Sequence, residues 1–462
     1  MMMHDIGLQA AGLPGNWSSL TPEQKRRYRF NNFLTPRNIN FVSPEARQSY
    51  TARAKRWVAA FSVQEPDRVP VLLPVGNLPY ILNGINMHTV MYDYRQALMA
   101  CKKFNEQYSA ELEYFASPLT TPGRILDLLD YKLYSWPGHG LSYHAPNIQF
   151  KENEYMNAGE YDDFIRDPSD FWLRTYFPRI FGALEPLGNF QAATGVIEII
   201  SVDQFMPLAN PQVQEMLLKI SEIGREYQKM QQTLGEYAGM GPAMGFPHTF
   251  GIFAKAPFDT LGDTLRGTAG VMKDIYRQPD KVVEACDKIA DLTINSVLKS
   301  PRTPGIFSVN FPLHKGADGW MSPRQFETFY WPSLKKVMDA FIKEGLLQNM
   351  FAEGSFDTRM EYFTEFPRGS LAWLFDQSDM VRAKKILGHK FCIQGNVPSA
   401  LIVTASPTEV KNYCRRLIEN CGPGGGYVLA AGCVAENPQL DNLRAMLTSV
   451  REFGVYHSSR AP

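Results

Sequence analysis

The sequence has no excess of charge of either sign. Its 462 residues contain 47 Lys and Arg against 47 Asp and Glu, so the formal net charge is zero. Proteins that bind nucleic acid through its phosphates carry a basic surface, and a balanced composition gives no indication of one. We therefore expect no nucleic-acid partner.

Long apolar runs are also missing, and cysteine is scarce. The apolar runs have the length of β-strands, whereas a membrane-spanning helix needs about 20 consecutive apolar residues. The N-terminal MMMHDIGLQA lacks the cationic start and long apolar stretch of a secretory signal. Six dispersed cysteines in a chain of this length do not predict a disulfide framework. We therefore expect a cytoplasmic protein that does not associate with membranes.

The sequence does contain short, nearly continuous apolar runs, separated by helical patterns. Such runs predict parallel strands that are buried on both faces, because helices cover both sides of the sheet. Their repetition over this length favours a (β/α)₈ TIM barrel, in the α/β class, over an open sheet. The clearest runs are FGIFAKAP (250–257), GIFSVNFPLH (305–314), LQNMFAEG (347–354), LAWLFDQSD (371–379), KFCIQGNVP (390–398) and GGYVLAAGC (425–433).

The chain divides into an extension and a barrel. Residues 1–64 are polar with helical character, and they predict a helical N-terminal extension. Residues 65–462 hold the strand-like runs and predict the barrel. Within it, residues 120–190 are rich in Tyr, Trp, Pro and Asp, which predicts an elaborated insertion.

Polar residues follow several of the predicted strands. In a barrel the residues just after each strand gather at one face, where active sites form. These residues are therefore either caps of the following helices or ligands for a metal or a substrate. They are His314, Glu353, Asp376, Asp379, Asn396 and Cys433.

Three further residues are candidates for lining a substrate pocket. His139 lies in the loop SWPGHGLSYHAP, whose glycines permit close approach of the backbone to a ligand. His248 precedes a strand in GFPHTFG, and Trp320 lies in HKGADGW after another. For each of them plain packing is the alternative interpretation.

Three segments resemble the uroporphyrinogen decarboxylase superfamily, in the same order along the chain. The similarity extends over roughly residues 65–455 and implies a (β/α)₈ barrel, in agreement with the pattern of strands. The segments are APFDTLGDTLRG (256–267), GNVPSALIVTASPTEVKNYCRRLIE (395–419) and GGYVLAAGCVAENPQLDNLRAM (425–446).

The decarboxylase itself is a poor match at its functional positions. Its active-site tyrosine falls on Asp263, which either has a site role here or pairs with nearby Arg266. The arginine-rich loop is missing near RVPVLLPVGNLPY, the early aspartate is not evident in YFASPLTTPGR, and Gly432-Cys433 stands in the region of the late histidine. A tetrapyrrole with many carboxylates needs a strongly cationic pocket, which these segments do not offer.

The chain resembles more closely the corrinoid-dependent methyltransferases of the same superfamily. These enzymes move a methyl group between a methylated compound or thiol and the cobalt of a corrinoid protein. Their zinc set implies a role for Cys433, and it places Glu353 where a cysteine ligand would be. The family histidine is lost, so His314 is the candidate for the missing imidazole. A carboxylate in place of a thiolate suits an oxygen substrate better.

The resemblance therefore implies a zinc-assisted methyltransferase that performs O-demethylation. It would remove a methyl group from a small methylated compound, an O-methyl ether, and transfer it to the cobalt of a separate corrinoid protein. A separate protein is needed because the corrinoid-binding pattern D-x-H-x-x-G is missing here. Glu353 and Asp263 are the predicted catalytic residues, and His314, Glu353 and Cys433 the predicted zinc ligands. A homodimer is a further expectation from the resemblance.

Two other functions remain open from the sequence. The first is a metal-independent lyase or decarboxylase that acts on a small carboxylic acid, with Asp263 and Glu353 as the acid/base pair. The second is a catalytically silent barrel that binds a ligand or a partner.

Overall fold

The computed structural model describes residues 13–118, 120–192 and 202–456. Two helices precede the first strand, α1 (Pro22–Leu34) and α2 (Pro44–Phe61). Both begin after a hydroxyl side chain, Thr21 or Ser43, that accepts a hydrogen bond from the first helical turn. Such caps satisfy backbone N–H groups that have no partner within the helix.

Seven strands form one parallel sheet, in the order β1-β10-β9-β8-β7-β6-β5. Sequential strands β5 to β10 are neighbours, which is the order expected around a barrel. The predicted α/β barrel architecture with a helical N-terminal extension is confirmed, with seven paired barrel strands in the described residues. The seven are β1 (Val71–Leu72), β5 (Ile252–Phe253), β6 (Ser308–Leu313), β7 (Leu347–Ala352), β8 (Leu371–Phe375), β9 (Cys392–Gln394) and β10 (Tyr427–Ala430).

Strands β6 to β10 are largely buried on both faces because helices and the barrel interior cover them. All four residues of β10 are buried, and so are five of the six residues of β6. One large apolar cluster runs through the barrel and its helices, and a smaller one joins the N-terminal extension to β7, β8, β9 and β10. Continuous apolar runs in the sequence thus predict strands that are covered on both faces.

The remaining helices lie between the strands or in the insertion. Those before β5 are α3 (Leu78–Ile81), α4 (Met87–Tyr92), α5 (Tyr94–Leu112), α6 (Gly123–Leu129), α7 (Tyr161–Arg166), α8 (Pro168–Phe171), α9 (Phe177–Ile180), α10 (Pro211–Ala238) and α11 (Met240–Ala243). Those after β5 are α12 (Pro257–Asp259), α13 (Gly267–Arg277), α14 (Pro279–Leu298), α15 (Pro323–Gln325), α16 (Trp331–Lys343), α17 (Met380–Ile386), α18 (Ser399–Thr404), α19 (Pro407–Cys421) and α20 (Leu440–Glu452). No helix in the described part of the chain combines the length and apolarity that crossing a membrane requires.

The insertion contains a small sheet of its own. Strand β2 (Tyr134–Pro137) lies between β3 (Gly140–Leu141) and β4 (Gln149–Phe150). Tyr131, just before β2, pairs with Phe181, just after α9, and α7 packs against α14. The boundaries predicted for the extension and for the insertion stay predictions, since the structure shows one continuous core through the barrel and much of the insertion.

The extension is anchored at the amino-terminal end of the barrel strands. The buried guanidinium group of Arg29 donates hydrogen bonds to the backbone carbonyls of Thr303, Ile306 and Glu344, at 2.7, 2.6 and 3.0 Å. These carbonyls lie just before β6 and β7. The extension therefore closes the end of the barrel opposite to the carboxyl ends of the strands.

Candidate active site

The first part of the site lies where β5 and β6 end. Asp259, in α12, is fully buried, and its carboxylate accepts hydrogen bonds from the backbone N–H groups of His314 and Lys315, at 2.9 and 2.8 Å. The hydroxyl of Tyr330 donates a third, at 2.7 Å. Burial raises the pKa of Asp259. Asp259 thus holds the end of β6 in place, and its oxygens are occupied by protein donors.

Asp263, one turn later, receives three cationic groups. A π-helical segment, Thr260–Leu265, brings its carboxylate to 2.7 Å from His314 Nδ1 and from Lys255 Nζ, and to 2.5 Å from Lys315 Nζ. The side chain is 13% exposed. Burial alone would raise the pKa of Asp263, but the hydrogen bond with His314 and the two lysine charges hold it well below its usual range. Asp263 is therefore a carboxylate at neutral pH.

His314 lies between two carboxylates. Its Nδ1 faces Asp263, and its Nε2 is 3.5 Å from Glu353 Oε1. Burial disfavours the charged imidazole, but the hydrogen bonds to Asp263 and Glu353 outweigh it and raise the pKa of His314 to about 10. At neutral pH His314 is therefore an imidazolium whose two N–H groups point at carboxylates. Asp263, His314 and Glu353 thus form a relay at the open, carboxyl-terminal end of the barrel, here called the mouth. Its outer residue, Glu353, is 45% exposed to solvent.

The other predicted residues of the strand ends lie on the far side of Glu353. The Asp376 carboxylate accepts a hydrogen bond from the backbone N–H of Gly354, at 3.2 Å, which ties the loop after β8 to the loop after β7. Burial, together with the negative charges of Asp376 and Glu353, raises the pKa of the Cys433 thiol. The structure thus brings Asp263, His314 and Glu353 into one chain of contacts, with Asp376 and Cys433 beside it.

Asn396 has a supporting position. Its side-chain amide donates hydrogen bonds to the backbone carbonyls of Asp376 and Ser378, at 3.0 and 2.9 Å. Asn396 is buried. The contacts show that it braces the loop that carries Asp376.

The three predicted pocket residues lie in three different places. Trp320 is at the mouth, 44% exposed, with Lys315 Nζ 5.0 Å from its ring centroid. His139 is exposed in the insertion, and its ring stacks on Trp136 at 4.0 Å between centroids. His248 precedes β5, and the neighbouring carbonyl of Thr249 accepts a hydrogen bond from Ser308, the first residue of β6. The structure therefore separates His248 from the mouth, because it lies at the amino-terminal end of the strands.

Three residues of the site were not singled out from the sequence. Lys255 and Lys315 follow β5 and β6 directly, so the rule that found His314 and Glu353 applied to them as well. Tyr134, in β2 of the insertion, is different: burial and the nearby charge of Asp263 raise the pKa of its hydroxyl. No local pattern marks Tyr134, because 129 positions separate it from Asp263 along the chain.

The predicted zinc ligands do not form a metal-binding group as they stand. Within residues 13–118, 120–192 and 202–456, no three or more His, Cys, Asp and Glu side chains are arranged to hold a metal ion. Both ring nitrogens of His314 face carboxylates, Asp263 at Nδ1 and Glu353 at Nε2. Zinc binding by His314, Glu353 and Cys433 stays a prediction.

Comparison with known proteins agrees with this fold. The family model of uroporphyrinogen decarboxylase (URO-D) matches residues 244–453, which begin before β5 and end after α20. Uroporphyrinogen decarboxylase of Actinobacillus succinogenes is 21% identical over 281 residues, 56% of this chain and 71% of that protein. The enzyme of Shewanella loihica is 22% identical over 313 residues, 64% of this chain and 79% of its own.

A solved structure extends the similarity to nearly the whole chain. A methyltransferase from Methanosarcina mazei superposes with a TM-score of 0.53 over 88% of this chain and 98% of its own, at 13% sequence identity. At this identity the likeness concerns the fold. The family match is narrower than the span of roughly 65–455 expected from the motifs, and it holds the second half of the barrel. The chain is thus similar to uroporphyrinogen decarboxylase over residues 244–453 and shares its fold with the methyltransferase.

Proposed function

We propose that this protein is a methyltransferase that removes the methyl group of a small O-methyl ether and transfers it to the cobalt of a separate corrinoid protein. The observation that carries the proposal is the proton relay Asp263–His314–Glu353 at the carboxyl ends of the strands. The shared fold with a methyltransferase supports it. Breaking an ether bond requires a proton for the leaving oxygen, and the relay holds one there.

Each residue of the relay has a different role in this reaction. Glu353 and His314 Nε2 lie next to the place of the ether oxygen, and the imidazolium donates the proton as the carbon–oxygen bond breaks. The corrinoid of the partner supplies the cobalt nucleophile that accepts the methyl group. Asp263 stays ionised, orients the imidazole through Nδ1 and stabilises its charge before the transfer. Exposed Glu353 then passes a proton from solvent back to His314.

An exposed aromatic side chain beside the relay favours an aryl methyl ether as the substrate. Trp320, exposed at the mouth, offers an aromatic face for the ring.

Methyl transfer is tested with free cobalamin as the acceptor. Wild-type protein mixed with cob(I)alamin and 2-methoxyphenol is expected to form methylcobalamin and catechol, followed by absorbance and mass spectrometry. Glu353→Gln is expected to lower the rate by about 100-fold or more, the usual range for loss of an acid/base group. Glu361→Gln, at an exposed glutamate paired with Arg382, is the matched control and keeps the wild-type rate. If wild type forms no methylcobalamin from 2-methoxyphenol or from other methyl ethers, the proposal is wrong.

Zinc content separates this relay from a metal site. We expect wild type, Glu353→Ala and Cys433→Ala to contain the same small fraction of zinc per chain by elemental analysis. The reason is that His314 is protonated and no ligand group is formed around it. Near one zinc per chain in wild type, lost in both variants, would contradict the proton relay. In that case a Lewis acid at the leaving oxygen would take its place.

The lysines support a second candidate, the metal-independent decarboxylation of a small carboxylic acid. Lys255 Nζ and Lys315 Nζ both lie against Asp263 and provide two cations beside the relay. A substrate carboxylate would pair with them, and Glu353 would protonate the carbon that loses CO₂. Release of CO₂ without cobalamin would favour this reaction over methyl transfer.

A further inference from the structure

A cavity of about 390 Å³ lies beside the relay, outside the ring of strands. Helix α14 forms one wall, the insertion around α8 forms another, and β5 forms the floor. Its volume falls in the range of small-molecule sites. Among its lining residues are Trp172, Phe253, Lys255, Ile289, Leu292 and Val297.

The floor of this cavity is an apolar surface that a barrel strand normally keeps covered. Phe253 belongs to β5, a parallel strand, and yet its side chain is 37% exposed. Parallel strands are normally covered on both faces, so an open phenyl ring on one of them marks a place where helix packing is replaced by a cavity. A ligand with an apolar body would remove this ring and Leu292 from water, which is favourable.

The cavity also has one cationic end. Of the described residues that line it, Lys255 alone is charged, while Ser169, Thr260, Thr293 and Ser296 add hydroxyl groups. Apolar walls with a single ammonium group are complementary to a single negative charge on an apolar body. We infer that the cavity binds a small organic monocarboxylate, with its carboxylate on Lys255 Nζ and its apolar part against Trp172, Phe253 and Leu292.

This second site would communicate with the relay through one side chain. Lys255 Nζ is 2.7 Å from Asp263, which also has Lys315 and His314 as partners. Asp263 thus keeps two cationic neighbours when Lys255 turns to a ligand. A carboxylate bound in the cavity adds negative charge beside Asp263 and therefore favours the protonated form of His314. The inference does not depend on methyl transfer, because it concerns binding alone.

The experiment measures binding of 4-methylbenzoate by isothermal titration calorimetry, with neutral 4-methylbenzamide as the ligand control. Wild type is expected to bind the carboxylate with a Kd below ~1 mM and the amide at least about tenfold more weakly. Lys255→Met is expected to weaken the binding of the carboxylate by about tenfold. Ser296→Trp fills the cavity from α14 and is expected to abolish binding. Asn295→Trp adds the same ring on the exposed side of α14 and keeps the wild-type affinity.

Binding at the mouth would give a different pattern. Lys315 contacts Asp263 from the mouth and does not line the cavity, so Lys315→Met is the matched lysine variant. The inference is overturned if Lys315→Met weakens the binding of 4-methylbenzoate as much as Lys255→Met does and Ser296→Trp leaves that binding unchanged. Absence of any heat of binding up to ~10 mM ligand overturns it as well. Circular dichroism and thermal melting establish that each variant is folded.

Discussion

Replacing His314 with Asn is expected to destabilise the protein near pH 6 and to make little difference near pH 10. In the folded state the pKa of His314 is raised to about 10, against about 6.5 for a free imidazole. A raised pKa contributes stability that is fully present below the unfolded value and is lost as the pH rises through the folded one. We expect a loss of ~3 kcal/mol at pH 6, after a discount for the partly exposed ring, since each pKa unit corresponds to about 1.4 kcal/mol.

On the acid side, the dependence of stability on pH has the opposite sign. The pKa of Asp263 is held below its usual range, so its contribution is present above about pH 4 and is lost as the pH falls. The ion cluster therefore contributes most between about pH 4 and pH 6.5. Outside that window the contribution of the Asp263–His314 pair to stability falls, on the basic side through His314 and on the acid side through Asp263.

Urea unfolding at pH 6, 8 and 10 measures this effect directly. The difference in the free energy of unfolding between wild type and His314→Asn is expected to fall steadily with pH. His389→Asn, at an exposed histidine, controls for the loss of an imidazole elsewhere. A difference that stays constant from pH 6 to pH 10 would show that His314 is neutral, and the proton relay would then lose its acid.

Removing Asp274 is expected to lower the free energy of unfolding by about 3–5 kcal/mol, more than any surface change, because it leaves a buried charge without a partner. Arg266 and Asp274 are both almost completely buried, with Nε and Oδ2 2.5 Å apart. The hydroxyl of Tyr161 donates to the same carboxylate at 2.9 Å, and Arg266 also donates to the carbonyl of Met156. Since Met156 and Tyr161 belong to the insertion, this ion pair fastens the insertion to the barrel beside the π-helical segment that carries Asp263.

A set of variants separates the charge from its packing. Asp274→Ala and Arg266→Met should each lower the free energy of unfolding in urea and the melting temperature. The double variant Arg266→Met with Asp274→Leu should recover a large part of the loss, because it leaves no unpaired charge. Lys336→Met removes an exposed lysine that pairs with Asp287 and is expected to have a far smaller effect. A double variant as unstable as the sum of the singles would mean that the two side chains act independently and that the unpaired charge does not cause the loss.

The helix-cap interpretation of the strand ends is correct for Asp379 and not for Asp376. Asp379 accepts hydrogen bonds from the backbone N–H groups of Val381 and Arg382 and so caps α17. Asp376, three residues earlier, instead accepts from Gly354 across the mouth. The two aspartates are equivalent by local pattern, and only the path of the loop after β8 distinguishes them.

The strands, and the end of the barrel at which the site lies, could be predicted from the sequence. Each of the six strands from β5 to β10 falls within an apolar run that predicted it, because burial on both faces requires a nearly continuous apolar segment. The rule that residues after parallel strands share one face then placed His314, Glu353 and Cys433 together.

Which of these groups are in contact, and what charge they carry, could not be predicted without the folded structure. Asp263 and His314 are 51 positions apart, and Lys255 and Lys315 reach the same carboxylate from two different strands. The protonation of His314 follows from those contacts, and the exposed Phe253 of the cavity follows from helices that leave β5 uncovered. Local patterns encode burial and periodicity along the chain, whereas charge state and cavities depend on distances between segments that the fold alone brings together.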